Sequence, residues 1–289
     1  MEILSIINLI LNGFLLGGLF ALTAFGLSIM VGIMKVVNIA HGDIMIFAAY
    51  ISYAFLNYLK IDPLLSIALV TPLMFFLGYF FQKFSVNRVL AYGSDQPVLL
   101  TFALSIILQN LLLLLFTADA RSLIQPYLLI SLDLAGFNPS PRYLISFVTA
   151  VLLFAAIYLF FKRTYLGKAM RAVPFDHEAA KVIGIQPVAV YNFAAGLASA
   201  VAAVAGIMLG MSFTFYPDSG PMFVLLSFGV IVMGGLGSIK GTMVGGIIVG
   251  EALVLGGALL GSRLQLMSVY LVILLILYVK PKGLFGGRD

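Results

Sequence analysis

Cysteine is absent from this 289-residue sequence, which excludes disulfides, metal thiolates and thiol nucleophiles. Histidine occurs only as His41 and His177, so neither a histidine metal set nor a convergent nucleophile and base can be assembled from it. Charge is scarce as well, at 9% of residues. A nucleotide phosphate loop is missing. The nearest string, "GGLGSIKGT" at 234–242, lacks the Gly-Lys-Ser/Thr ending that such a loop needs. These absences argue against an enzyme, a resident metal or cofactor, and an energy-coupling site within the chain.

What is abundant is apolar surface. Hydrophobic residues make up 62% of the chain and the mean hydropathy is +1.15, too high for a soluble core in a polar shell. Apolar runs of about 20 residues, enough to cross about 30 Å of hydrocarbon, recur throughout. Runs of that length with internally closed backbone hydrogen bonds mean α-helices and not a barrel. The expected class is an all-α polytopic membrane protein of about eight to ten helices, some broken or re-entrant, forming one domain over 1–289. Segments are placed at 5–34, 38–59, 63–82, 97–117, 143–162, 188–211, 222–239, 241–260 and 264–280. The first is long enough to be tilted or broken, and "SIKG" between the seventh and eighth implies a tight hairpin or a broken helix. No cleavable signal is expected, because the first apolar run starts at Ile3, lacks a basic flank and is too long.

Charge predicts sidedness. With strict alternation one face collects Lys35, Lys83, Arg88, Lys162, Arg163, Lys168, Arg171, Lys181, Lys240, Lys280, Lys282 and Arg288. The other receives Lys60, Arg121, Arg142 and Arg263. Basic residues favour the cytoplasm, so the prediction is N-terminus out and C-terminus in, with acidic residues such as Glu2 showing no such bias. The net charge of +5 is therefore read as topology, not as affinity for nucleic acid. Residues 20–32 and 223–235 share six identities at a constant offset of 203. That spacing would suit a parallel repeat, although apolar sequence also produces such matches by chance.

Three features stand out from this background. The first is "VVNIAHGD", residues 36–43, which places Asn38, His41, Gly42 and Asp43 between two apolar segments. Asn38 is a good helix N-cap, and Asp43 in the first turn suits the positive helix end. A functional alternative is a helix start exposed inside the bundle, with free N–H groups for a passing carboxylate. The second is Glu251, a lone mid-span carboxylate, which is read as a structural hydrogen-bond partner or a sensor of a substrate ammonium group. The third is a set of GxxxG spacings at Gly13/Gly17, Gly206/Gly210, Gly241/Gly245, Gly246/Gly250 and Gly257/Gly261, which predict close helix packing. The pathway for a transported solute is expected where segments 1, 2, 7 and 8 meet. Asn38, His41, Gly42, Asp43, Gly234, Gly235 and Glu251 are its candidate residues.

The stretch 162–187, "KRTYLGKAMRAVPFDHEAAKVIGIQP", is long for a helix–helix connection and rich in both signs of charge. Asp176 can cap a short helix that Gly184 ends and Pro187 cannot continue. Ala179, Val182 and Ile183 fall on one side of it. It reads either as an interfacial helix on lipid headgroups or as a docking knob for a cytoplasmic protein.

This loop resembles the coupling loop of bacterial ABC-importer permeases, with Glu178, Ala179, Ala180 and Gly184 in the Glu-Ala-Ala…Gly arrangement and Pro187 trailing. Its later isoleucine-leucine-proline part is not evident. "VVNIAHGDIMIFAAY", "LGKAMRAVPFDHEAAKVIGI" and "VMGGLGSIKGTMVGG" follow one another as in the branched-chain amino acid ABC transporter permeases, H-type subunit. The resemblance spans about Gly13 to Gly283. It implies one half of a membrane pathway for branched-chain or related neutral amino acids in a prokaryotic plasma membrane. The implied partners are a second permease subunit or copy, two cytoplasmic ATPase subunits carrying ATP and Mg, and an extracytoplasmic binding protein. The coupling contacts it implies are Gly167, Arg171, Asp176, Glu178, Ala179, Ala180 and Gly184. An ion-coupled carrier or channel for small neutral or zwitterionic solutes is the competing class. A carrier, however, should show several carboxylates at membrane depth.

Overall fold

The computed structural model describes residues 3–90, 92–93, 95–133 and 136–286. Glu2 and Arg288, counted above in the charge balance, lie outside these residues, as does the side chain of His177. All nine expected segments fall on helices, and some of their boundaries move.

Helix α1 (Ile3–Met34) is one unbroken element of 32 residues, about 48 Å long. It is buried on nearly every side from Gly13 to Met34, as an all-apolar helix at the centre of a bundle must be. Helix α2 spans His41–Leu59 and α3 spans Pro63–Phe81. The third segment runs past its expected end at 82, because a π turn at Gln82–Val86 carries α3 into the short α4 (Asn87–Leu90). Next come α5 (Gln96–Phe116) and α6 (Pro141–Arg163). The 162–187 stretch forms two short helices, α7 (Tyr165–Ala172) and α8 (His177–Val182). After them α9 spans Pro187–Ser212. Pro63, Pro97, Pro141 and Pro187 all sit in first turns, where the missing N–H costs nothing.

The last apolar helices are α10 (Gly220–Gly234), α11 (Ile239–Leu260) and α12 (Gln265–Val279). Among the described residues seven helices are long and apolar enough to cross a membrane, while α10 and α12 have 15 residues each. That length gives about 22 Å, short of a full crossing. The hairpin before α11 is tighter than expected: Ile239 and Lys240 already belong to α11. Ser238 Oγ caps that helix by accepting the Gly241 N–H, and Gly235 and Gly237 turn the chain at φ 108° and 74°.

Helices α1 and α9 form the core, with α11 and α6 against α1, α3 against α9, and α2 and α10 beside them. Small residues set these spacings. Gly17 faces the backbone of Gly246 and Ile247, Gly250 faces Gly13 and Gly17, and Gly206 faces the Met45 carbonyl. Gly13/Gly17, Gly241/Gly245 and Gly246/Gly250 lie at such helix contacts, and in a fourth pair Gly206 does while Gly210 packs on Leu123 and Phe215 outside the helices. The fifth ends at Gly261, in the open turn after α11. Outward faces of α3, α5 and α12 expose Leu69, Phe76, Ile107, Leu114 and Leu274, an apolar girdle suited to lipid.

The start of α1 and residues 283–286 lie at opposite ends of the bundle. Asn8 and Asn12 of α1 bond to the backbone of Gly136, Asn138 and Ser140 at one end. At the other, Gly32 meets Gly237, the Phe285 N–H bonds to the Gly234 carbonyl, and the 162–187 loop is anchored. The two matching stretches, 20–32 in α1 and 223–235 in α10, run toward that same loop end.

Candidate functional site

The chain does not step from α1 directly to an end-on α2. Lys35 turns it at φ 54°, and residues 36–40 run back beside α1. Helix α2 therefore begins at His41 next to Thr23, whose carbonyl accepts from His41 Nε2 at 2.9 Å. Thr23 lies eleven residues before the end of α1, about 16 Å of helix, so α2 starts deep inside the bundle. Gly26 makes room for the imidazole. Asn38 is not the cap: the capping position is Ala40, with no side-chain bond. The backbone carbonyl of Asn38 takes the His41 N–H, while its side chain turns to α1 and donates to Met30 Sδ at 3.7 Å.

Helix α10 reaches the same depth from the other direction. After α9, residues 213–219 fold back into the bundle, where Phe215 exchanges both backbone bonds with Arg121 at 3.0 and 2.9 Å. Leu123 N–H bonds to the Gly210 carbonyl at 2.8 Å, and Arg121 reaches Tyr53 Oη and the Phe116 carbonyl, each at 3.1 Å. Irregular backbone at this depth is tolerable because protein groups satisfy it. Gly220 then opens α10 against Gly42 and Asp43. A Cβ on Gly42 would strike the Gly220 carbonyl, and one on Gly220 would strike the Asp43 carboxylate.

Two helix N-termini thus meet inside the bundle with a carboxylate between them. Each carries a partial positive charge, and their approach in a low dielectric requires a negative group. Asp43 supplies it at 1% exposure. Its Oδ1 accepts from Gln109 Nε2 at 2.9 Å, and that nitrogen also donates to Ser105 Oγ at 3.0 Å. Asp43 Oδ2 has no hydrogen-bond partner among the described residues. The first turn of α2 holds Asp43 as expected.

Sequence reasoning missed the wall of this junction. Thr101, Ser105 and Gln109 form a polar stripe at i, i+4 and i+8 on α5. Thr101 Oγ1 accepts the Ile39 N–H at 3.2 Å, and the other two serve Asp43. The stripe is visible as a period-four pattern in segment 97–117, but a hydropathy scan averages it away.

Asn38, His41, Gly42 and Asp43 are brought together. Gly234 and Gly235 lie at the far end of α10, and Gly234 packs on the backbone of Gly241. Glu251 stands on α11 against Gly13, ten residues along α1 from Thr23, and its Oε2 lacks a hydrogen-bond partner among the described residues. The structural hydrogen bond expected of it is not formed by that atom. Among the described residues no three His, Asp or Glu side chains group as a metal site.

At the loop end the expected cap is present: Asp176 Oδ1 accepts from Glu178 and Ala179 N–H at 3.0 and 2.9 Å. Gly184 ends α8 at φ 83°, and Ile185 N–H returns to the Ala180 carbonyl. Ala180 and Ile185 are buried anchors, whereas Phe175, Val182 and Ile183 are 92%, 87% and 70% exposed. Gly167 packs on Phe160 and Phe161 of α6, and Arg171 lines a cavity of about 600 Å³ with Lys162 and Gly32. The apolar side of α8 is thus turned away from its own chain.

The family described as branched-chain amino acid transport system / permease component matches residues 9–279. The chain is similar to the high-affinity branched-chain amino acid transport system permease protein LivH of Escherichia coli, at 30% identity over 307 residues. That match covers 100% of this chain and 98% of the relative. It is also similar to the permease protein BraD of Pseudomonas aeruginosa, at 28% identity with the same coverage. In fold it resembles a chain of PsaBC from Streptococcus pneumoniae in complex with Fab. There the TM-score is 0.52 at 14% identity, covering 95% of this chain and 92% of that one.

Proposed function

The chain belongs to the branched-chain amino acid transport permease components, and from that premise we propose how its geometry serves import. It is a non-catalytic, multi-pass subunit of the plasma membrane in an ABC importer of branched-chain amino acids. It forms half of the membrane pathway beside a second permease subunit. Two cytoplasmic ATPases supply ATP hydrolysis, and an extracytoplasmic binding protein delivers the substrate.

The observation that carries this reading is the exposed apolar face of α8. Val182 and Ile183 at the end of this capped helix, and Phe175 just before its cap, stand exposed between α7 and α9. Three apolar side chains are a thin lipid anchor but a sufficient knob for a protein groove. The loop end is then cytoplasmic, in keeping with its eleven cations against four among the described residues. Glu178, Ala179, Ala180 and Gly184 shape the knob, and Gly167 and Arg171 join it to the bundle.

Motion of that knob would pull on α6, α9 and the junction between α2 and α10. In the closed junction Asp43 neutralises both helix ends. Parting them frees first-turn N–H groups, which suit the carboxylate of an amino acid. His41, Gly42 and Asp43 thereby gate the path, with Asn38 and the α5 stripe beside them.

Co-purification with an ATP-hydrolysing subunit tests the reading. It is expected for the native chain and lost on joint substitution of Glu178 and Gly184. Uptake of leucine that needs an ion gradient and persists without ATP would overturn it in favour of a carrier.

A further inference from the structure

A cavity of about 240 Å³ lies beside the junction, walled by α1, α2, α3, α5, α9, the run before α2 and the π turn after α3. Its lining is apolar, including Met30, Ile44, Phe47, Leu104 and Leu108, with few polar groups. Two of those are amides left unsatisfied: Asn38 Oδ1 and Gln82 Oε1 are buried without a hydrogen-bond donor among the described residues. The residues themselves are 5% and 1% exposed. A buried acceptor left unpaired costs about 1–3 kcal/mol, so two such residues lining one small cavity ask for a donor.

The Gln82 amide is not free to turn away. Its Nε2 donates to Asn87 Oδ1 at 2.9 Å, and Asn87 Nδ2 donates to Asn192 Oδ1 at 2.7 Å. This relay ties the π turn and α4 to α9 and engages the nitrogen of the Gln82 amide, leaving its oxygen without a partner among the described residues. Gln82 also opens the π turn Gln82–Val86, an insertion often found at functional sites. On the facing wall Thr101 Oγ1 donates to the Val98 carbonyl and accepts from Ile39 N–H. A hydroxyl accepts through two lone pairs, so one remains.

We propose that this cavity holds the amino end and branched side chain of the transported amino acid. The inference rests on the permease reading and assigns its substrate subsite within one subunit. A primary ammonium has three donors and no acceptor. Asn38 Oδ1, Gln82 Oε1 and Thr101 Oγ1 take those donors, and the apolar walls take a branched aliphatic body. The ligand class is a primary amine on a branched four- or five-carbon chain. A carboxylate in the amine's place would meet those same acceptor oxygens, with hydroxyls such as that of Ser199 left to donate to it.

The test uses the full permease complex in lipid nanodiscs and three probes of one shape. Isoamylamine offers the donors, isoamyltrimethylammonium keeps the charge without an N–H, and isovalerate reverses the polarity. Isoamylamine is expected to raise the thermal midpoint in a saturable way and to compete with leucine uptake, while the other two do neither. Asn38→Leu and Gln82→Met should each weaken isoamylamine about tenfold, the loss of one charge-assisted hydrogen bond.

Equal stabilisation by the trimethylammonium probe would make this an acyl-chain crevice and overturn the proposal. So would retention of full isoamylamine affinity in both variants, or saturable binding that fails to compete with leucine. Absence of binding by all three would leave a cavity for water only and would overturn it as well. If a variant misfolds, the probe series on the native complex still decides. Leucine uptake by the native complex is measured separately, so failure of the permease reading is told apart from failure of the subsite.

Discussion

The junction of α2 and α10 and the loop carrying α8 invert each other's chemistry. At the junction, polar groups sit where the chain is otherwise apolar, and every route to water is closed: Asp43 and His41 are each 1% exposed. In the loop, apolar side chains stand in the open although the chain has ample interior to bury them. Burying a carboxylate costs several kcal/mol, and ordering an exposed apolar knob gains nothing by burial. Each region therefore carries a local cost that the surrounding helices over-determine. At the junction the compensation is two helix ends and a glutamine, and in the loop it is a cap, a glycine stop and two buried anchors.

Steric contrast breaks the comparison most sharply. Gly42→Val places atoms into the Gly220 carbonyl and should abolish both membrane accumulation and uptake. Gly184→Ala meets open space at φ 83° and should cost only about 1 kcal/mol in α8. Immunoblots of membranes beside uptake rates would separate the two, and normal accumulation of the Gly42 variant would refute the close approach. Next in size, Val182→Asp with Ile183→Asp is expected to eliminate ATPase co-purification while the chain accumulates normally. Retained ATPase binding would return α8 to a lipid-surface role.

Charge alone is a finer probe. Asp43→Asn keeps the shape and can still accept from Gln109, but removes the countercharge to two helix ends, each worth up to about 2 kcal/mol when partly buried. Uptake should fall by about ten- to a hundredfold at native protein levels, and an unchanged maximal rate would reduce Asp43 to packing. The smallest effect is expected from Asp176→Ala, about 1 kcal/mol of capping. Faster hydrogen exchange confined to residues 177–183, with uptake only modestly lowered, would mark it.

The loop was legible residue by residue because its signals are local. Asp176, Gly184 and Pro187 act on their own neighbours through backbone geometry, so cap, stop and apolar side all appear where spacing puts them. The interlocking glycines of α1 and α11 were legible for the same reason, since Gly13/Gly17 and Gly246/Gly250 write the packing face of each helix. The junction was only half legible. Asn38 looked like a cap because the apolar run resumes just after it, yet its backbone carbonyl and not its side chain meets the helix start. Glu251 looked central by its position in a span but lies at the α1–α11 contact. Thr101, Ser105 and Gln109 were unremarked within an apolar segment.

The sequence by itself determined the all-helical membrane class, the number and order of apolar helices, and the cap, glycine stop and apolar side of α8. Each follows from hydropathy, helix periodicity or short-range backbone preference, which act over a few turns. Only the tertiary structure decided that α2 and α10 begin inside the bundle, that their N-termini share Asp43, and that α5 supplies its partners. Those facts depend on residues 66 and 177 positions apart meeting at one depth. No local propensity encodes such a meeting; it follows from how far α1 extends past Thr23 and how residues 36–40 and 213–219 fold back along it.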